Sequence, residues 1–119
     1  MADLISTQLK KGVLDLCVLA ILEREDGYAY DIARLLADAI DMGEGTIYPL
    51  MRRMQADGLV KTYLAESSSG PPRKYYQLTR AGHAALAAQK AEWTSFVASV
   101  ARVLADNPTS SARTAGGAR

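Results

Sequence analysis

The chain of 119 residues has one cysteine and one histidine, and these scarcities exclude several classes of protein. Cys17 alone cannot form an internal disulfide. His83 has no cysteine or carboxylate around it at metal-ligand spacing, and one histidine leaves no Ser/His/Asp or Cys/His set for nucleophilic catalysis. Glycine-rich loops of the kind that hold phosphate groups are missing too. The sequence therefore predicts a protein that is not an enzyme, with no metal site and no cofactor.

Long apolar runs are also missing. The longest, 13–22, is interrupted by Asp15 and is too short to cross a bilayer. The first residues lack the basic segment and the cleavage site of a secretory signal, so we expect a cytoplasmic protein. Hydrophobic residues make up 49% of the chain and charged residues 23%, which is typical of one soluble globular domain.

Charge is balanced overall but unevenly distributed along the chain. The formal net charge is +1. Residues 12–43 carry two basic and seven acidic side chains, a net charge of −5, whereas residues 44–80 carry six basic and three acidic side chains, a net charge of +3. A basic middle in a near-neutral chain favours a nucleic-acid-binding face. The alternative, an ordinary solvated surface, stays open on charge alone.

Apolar periodicity predicts four helices and a β-hairpin. The predicted helices are 9–25, 29–39, 44–57 and 79–105, and the predicted strands are 59–64 and 73–78. Gly43 and Thr79 are expected to cap the third and fourth helices, and Gly58 is expected to end the third. Asp26 and Gly27 are predicted to form a turn.

This order of elements predicts an α+β fold that is mostly α. Residues 9–78 are expected to form a winged helix-turn-helix domain, with three helices and a two-stranded wing, and residues 79–105 a long C-terminal dimerisation helix. Residues 1–8 are expected to be a flexible arm, and residues 106–119, which are rich in small and polar residues, a disordered tail.

The third helix is the candidate DNA-recognition element. In a winged helix-turn-helix this helix lies in a major groove, and the wing reaches the adjacent backbone or minor groove. The candidate contacts are Thr46, Tyr48, Arg52 and Arg53 on the helix and Arg73 and Lys74 on the wing. Either arginine of the helix is suited to a phosphate or a guanine edge, although one of the two is also placed to pair with Asp57.

The last helix carries a short heptad pattern. Leu86, Trp93 and Val100 are spaced seven residues apart, and so are Gln89, Phe96 and Val103. This seam predicts a homodimer, with Leu86, Trp93, Phe96, Val100 and Val103 in the interface.

Five stretches of the sequence together resemble the PadR family of transcriptional regulators. They are LKKGVLDL at 9–16, GYAYDI at 27–32, GTIYPL at 45–50, DGL at 57–59 and GPPRKYYQLTRAG at 70–82. Each stretch is weakly specific alone, but their order and spacing are very specific, and the likeness covers roughly residues 9 to 104. The single C-terminal helix and Trp93 are most similar to the LmrR-like branch of short members.

The resemblance implies a homodimeric repressor that binds an inverted-repeat operator and is released by a small aromatic or drug-like effector. It adds Gly45 and Pro49 to the DNA-binding residues. It also implies an effector site formed by Leu16, Leu19, Gln89, Trp93 and Phe96. Gln89 and Lys90 stand where drug-binding relatives have apolar or small residues, which leaves the effector open. A ligand-independent winged-helix DNA binder and a protein-interaction module remain alternatives.

Overall fold

The structure, a computed structural model, describes Leu9 and residues 12–105. The predicted arm at 1–8 and the predicted tail at 106–119 lie outside these residues. The chain divides into two compact units, Met1–Ala87 and Ala88–Arg119, called here the first and second units. The predicted boundary at residues 78 and 79 lies earlier than this division, because the beginning of the last helix, as far as the buried Leu86, belongs to the core of the first unit.

The described residues form four helices and three strands. These are α1 (Leu14–Arg24), β1 (Gly27–Tyr28), α2 (Ala29–Ile40), α3 (Glu44–Ala56), β2 (Val60–Ala65), β3 (Arg73–Leu78) and α4 (Arg80–Leu104). Helix α1 begins at Leu14 rather than at Leu9, because Gly12 and Val13 form a turn. The other helices agree with the predicted bounds within one residue. None of the helices in this part of the chain is long and apolar enough to span a membrane.

The wing contains a strand that the sequence did not predict. The sheet has three antiparallel strands in the order β1-β3-β2, with Tyr28 opposite Tyr75 and Tyr63 on the other side of Tyr75. The predicted turn at Asp26 and Gly27 is therefore wrong for Gly27, which begins β1. A Cβ atom at Gly27 would lie 2.8 Å from Ile32 Cδ1. The absence of a side chain lets the backbone pass close to α2 and reach the edge of β3.

One hydrophobic core joins the helices to the inner face of the sheet. Its buried side chains are Leu14, Val18, Leu19 and Leu22 of α1, Ile32, Ala33 and Leu36 of α2, Met42, Ile47, Leu50, Met51 and Met54 in and before α3, Val60, Tyr76 and Leu78 of the sheet, and Leu86 of α4. Leu19 and Leu86 have essentially no exposed surface. The predictions that Leu19 lines an effector site and that Leu86 lies in a dimer interface are therefore wrong, because neither side chain is accessible to a ligand or a second chain.

The end of α3 and the start of α4 are joined through Thr79. Gly58 adopts a φ of 78°, and the N–H groups of Gly58 and Leu59 donate to the carbonyls of Gln55 and Met54, each at 3.0 Å. This is a Schellman motif, in which a left-handed residue ends the helix. The Thr79 hydroxyl accepts from the Gly82 N–H at 3.0 Å and donates to the Gly58 carbonyl at 2.7 Å.

Candidate nucleic-acid interface

One face of α3 is exposed and carries few bulky side chains. The buried stripe at residues 47, 50, 51 and 54 places Gly45, Pro49 and Arg52 on the opposite face by helical spacing, and all three are exposed. Two of these residues have no long side chain, so the helix backbone can approach a partner closely. Arg52 is the cation that projects from this face.

Arg53 lies on the flank of α3 that faces α1. Its Nη2 is 2.9 Å from Asp15 Oδ1, and its Nη1 is 3.8 Å from Asp57 Oδ2. The Arg53 and Asp15 side chains are 53% and 33% exposed, so the ion pair is partly solvated. Two carboxylates oppose the Arg53 charge, and the prediction that it contacts DNA stays a prediction.

A cleft of about 360 Å³ separates this flank of α3 from α1. Its lining residues are Leu14, Asp15, Thr46, Pro49, Leu50 and Arg53. Thr46 is half-buried in it, near the amino end of α3. Thr46 thus borders the exposed face that Gly45 and Pro49 form.

Tyr48 lies on the other flank of α3. Its side chain is half-buried, and burial raises its pKa, with further increases from the Glu44 carboxylate and from Tyr28, Tyr30 and Tyr76. The phenol therefore stays protonated over the physiological range and can donate a hydrogen bond to a phosphate or to a base.

The two wing cations begin β3 and lie over tyrosine rings on opposite faces of the sheet. Arg73 Cζ is 4.7 Å from the centroid of the Tyr28 ring, and Lys74 Nζ is 5.7 Å from that of Tyr76. Both side chains are exposed. They border a cleft of about 370 Å³ at the wing tip, lined by Tyr28, Ser67, Ser69, Pro71, Pro72, Arg73 and Lys74. The site thus combines positive charge with hydroxyl groups beside a short loop.

Three tyrosines form a row across the outer face of the sheet. The Tyr28 and Tyr75 rings are 5.9 Å apart, and the Tyr63 and Tyr75 rings are 5.8 Å apart and nearly parallel. The Tyr63 hydroxyl donates to Asp26 Oδ2 at 2.6 Å, and this hydrogen bond raises the Tyr63 pKa. The sequence does not predict the row, because the place of Tyr28 in it depends on the pairing of β1 with β3.

The part of α4 in the second unit exposes an apolar stripe. Trp93 is 44% exposed, Phe96 63% and Val103 82%, and Val97 and Leu104 are exposed as well. Val100 and Gln89 are half-buried. Residues 93, 96, 97, 100, 103 and 104 share one side of the helix by spacing. Such a stripe is typical of a helix that packs against another protein surface.

The family model for PadR-like transcriptional regulators matches residues 18–88, more than half of the chain. The chain belongs to the PadR-like family. A PadR-like transcriptional regulator from Bacillus cereus is 37% identical over 84% of this chain and 99% of its own, with a TM-score of 0.77. A PadR family regulator from Eggerthella lenta is 35% identical over 89% of this chain and 96% of its own, with a TM-score of 0.76.

Bacillus subtilis PadR, solved in complex with operator DNA, is more distant. It is 21% identical over 65% of this chain and 46% of its own, with a TM-score of 0.59, which is a likeness of fold. The family and these structures are transcriptional regulators rather than enzymes, as predicted. The predicted winged helix-turn-helix with a C-terminal helix is likewise confirmed for this PadR-like chain.

The remaining predicted site residues belong to both units of the chain. Leu16 is half-buried against the core of the first unit, whereas Gln89, Trp93 and Phe96 belong to the second unit. His83 is exposed on α4, and among the described residues no three His, Cys, Asp or Glu side chains could together hold a metal ion. The effector, DNA-contact and dimer assignments of the other residues stay predictions.

Proposed function

We propose that this PadR-like chain is a cytoplasmic, sequence-specific DNA-binding repressor that acts as a homodimer. The observation that carries the proposal is the exposed face of α3. Gly45 and Pro49 have no long side chain there, so a partner can approach the helix backbone, and Arg52 projects from the same face. A helix of this shape is suited to a major groove, which is about 12 Å wide and admits one α-helix. Bacillus subtilis PadR, a protein of similar fold, was solved in complex with operator DNA, which supports DNA as the partner of this chain.

Three side chains of α3 have different proposed roles in DNA recognition: Arg52, Thr46 and Tyr48. The Arg52 guanidinium is the group that can bind a guanine edge through two parallel hydrogen bonds. Thr46 and Tyr48 are near the amino end of α3 and supply hydroxyl groups for phosphates or bases. Gly45 and Pro49 act by permitting close approach rather than by donating hydrogen bonds.

The wing supplies contacts that do not depend on sequence. Arg73 and Lys74 are exposed at the start of β3, beside the loop at the wing tip. Cations at this position neutralise phosphates and fix the orientation of the protein on the duplex. Arg53 has a structural part in this proposal, because Asp15 and Asp57 already oppose its charge.

A second copy of the chain is the proposed partner of the apolar stripe on α4. Trp93, Phe96, Val100 and Val103 repeat at the three- and four-residue spacing of a helix–helix seam. Burying one large apolar side chain contributes roughly 1.5–3 kcal/mol, so a few such residues from each chain suffice for a stable dimer. A dimer would present two α3 helices to successive major grooves, roughly 34 Å apart, on an inverted repeat.

The same stripe is the proposed effector site. Trp93 and Phe96 offer aromatic faces, and Gln89 offers an amide, so a planar aromatic molecule with one polar group is the best match. An effector bound there would change the spacing of the two α3 helices and release the operator. Coupling between two such sites is typically about 1–3 kcal/mol, a change in affinity of roughly 5- to 150-fold.

DNA binding is tested by selecting duplexes from a random library with the full chain. The selected duplex then serves to compare Arg52→Gln with Arg24→Gln, which removes the same charge from α1, outside α3 and the wing. We expect Arg52→Gln to weaken binding by about 1–3 kcal/mol and to relax the preference at one base pair. Equal, small effects of both variants would refute the role of α3, and failure to select any duplex would favour a protein-interaction module.

Dimerisation is tested by measuring the molar mass of the protein by light scattering as it elutes from a size-exclusion column. Phe96→Ser places a hydroxyl in the stripe and is expected to shift the chain toward monomer. Ala98→Ser is the matched control, because position 98 faces away from the stripe on the same helix. A dimer unaffected by Phe96→Ser would contradict the proposed interface.

Effector binding is followed by tryptophan fluorescence, because Trp93 is the single tryptophan of the chain. Saturable quenching by a planar aromatic compound, together with release of the selected duplex, is the expected result. A panel of such compounds that neither quenches Trp93 nor releases DNA would favour a ligand-independent DNA binder.

A further inference from the structure

The outer face of the sheet places an arginine of the wing over an aromatic ring of β1. Arg73 lies two residues before Tyr75 on β3, so both side chains are on the same face of the sheet. Its guanidinium carbon is 4.7 Å from the centroid of the Tyr28 ring, within the range of about 6 Å at which a cation is attracted to a ring face. The ring thus holds the positive charge at the start of β3, beside the loop at the wing tip.

Contact with a ring leaves the hydrogen-bond donors of an arginine available. The guanidinium has five N–H groups, and attraction to a π face requires none of them to meet an oxygen. Arg53 provides the contrast, since its N–H groups are directed at Asp15. Arg73 is therefore both oriented and able to donate to an external acceptor such as a phosphate.

Tyr28 is itself fixed from several sides. Its backbone pairs with Tyr75 in the sheet, and its ring lies 5.9 Å from that of Tyr75 and 6.3 Å from that of Tyr30. The strand that carries it is held at Gly27, which packs against Ile32 with no room for a side chain. Because Tyr28 has little freedom to move, it can restrict the position of Arg73.

We propose that Tyr28 is a positioning residue that orients Arg73 for contact with a DNA phosphate. The inference rests on the proposed DNA-binding function and adds to it a residue that makes no contact with DNA. Ordering a long side chain on binding costs roughly a two- to twelvefold loss of affinity. An arginine that is already ordered avoids that cost. A dimer with two wings would avoid it twice, which raises the affinity for DNA by at least about fivefold in all.

The test uses the full chain and a labelled duplex of mixed sequence at low salt, with affinity measured by fluorescence anisotropy. A mixed sequence suffices because phosphate contacts are independent of sequence. Position 28 is replaced by phenylalanine and by phenylalanines with one, two or three ring fluorines. Fluorination withdraws electron density from the ring face while its size stays almost constant, so attraction to a cation falls stepwise.

We expect Tyr28→Phe to bind within twofold of the wild type and the affinity to fall stepwise with each fluorine, by about fivefold or more in total. The loss should disappear in an Arg73→Ala background. A trifluorinated phenylalanine at position 30, whose ring lies near Arg34 rather than Arg73, is the control and should leave the affinity unchanged.

The outcomes that overturn the inference are distinct from those that overturn the function. If Arg73→Ala weakens binding but fluorination at position 28 does not, the wing contacts DNA without help from Tyr28. If fluorination weakens binding equally in the Arg73→Ala background, Tyr28 acts by another route. If Arg73→Ala itself leaves the affinity unchanged, both the wing contact and the role of Tyr28 are refuted.

Discussion

Removal of the Thr79 hydroxyl tests the junction between the end of α3 and the start of α4. Thr79→Val keeps the size and branching of the side chain but abolishes the hydrogen bonds of the hydroxyl. The hydroxyl accepts from the Gly82 N–H at 3.0 Å, and its one proton is shared between the Gly58 carbonyl at 2.7 Å and the Leu59 carbonyl at 3.1 Å. The backbone hydrogen bond from the Thr79 N–H to the Leu59 carbonyl, at 3.1 Å, is retained.

The expected loss is the sum of two contributions. Loss of an N-cap hydroxyl costs about 1 kcal/mol, in a range of roughly 0.5–2. Loss of the donated hydrogen bond costs about 0.5–1.5 kcal/mol. The lower part of that range applies, because water can reach the exposed Gly58 carbonyl and the Leu59 carbonyl keeps the Thr79 N–H as a donor. Thr79→Val should therefore lower the free energy of unfolding by about 1.5–2.5 kcal/mol.

Urea denaturation followed by circular dichroism measures this loss. All variants are compared at one protein concentration, because dimerisation would make stability concentration-dependent. Thr79→Ser retains the hydroxyl and serves as the control, with an expected loss of less than about 0.5 kcal/mol. The reasoning is refuted if Thr79→Val is as stable as the wild type, or if Thr79→Ser is destabilised as much as Thr79→Val.

Three further predictions concern single positions. Gly82→Ala should lower the free energy of unfolding by about 1–3 kcal/mol, because the added Cβ would clash with a backbone carbonyl of the turn after α3. Gly45→Ala meets open space and should stabilise α3 by up to about 1 kcal/mol. Equal effects of the two variants in urea denaturation would contradict this prediction. Asp15→Asn should lower the free energy of unfolding by less than about 1 kcal/mol, since the ion pair with Arg53 is partly exposed. The variant should bind a DNA duplex more strongly, because it removes a negative charge. Weaker binding would show that the ion pair itself is needed. Burial raises the pKa of the Cys17 thiol, so less thiolate is present at a given pH. Alkylation of Cys17 at mildly alkaline pH should therefore be slower than alkylation of free cysteine. An equal rate would refute this prediction.

Local patterns predicted α3 almost completely. The stripe of Ile47, Leu50, Met51 and Met54 is buried as its spacing indicates, and Gly43 and Gly58 flank α3 at the predicted ends. These features depend on helical periodicity and on the backbone freedom of glycine, which a short window of sequence contains. The candidate DNA residues Thr46, Tyr48, Arg52 and Arg53 were chosen from the same pattern, whereas Gly45 and Pro49 were implied by the family resemblance, and all six stay predictions.

The features that were missed depend on contacts between distant parts of the chain. Strand β1 has only two residues, and it exists because β3 pairs with it. Leu19 and Leu86 are apolar residues of helices that have more than one apolar side, and periodicity alone did not decide which side meets the core. Asp15 was not predicted as the partner of Arg53, because 38 residues separate them.

In the wing, the residues that maintain the fold differ from the residues that determine how far the wing extends. Its base is held by paired strands, whereas the tip at residues 66–72 is a loop with a turn at residues 68 and 69 and is exposed apart from Ser67. Doubling the length of such a loop costs only about 0.6 kcal/mol in closure entropy. In the proposed complex, insertions at the tip would therefore alter how far the wing extends along DNA while the sheet keeps its register. A regulator with this construction can change the length of duplex that it covers at little risk to its own folding.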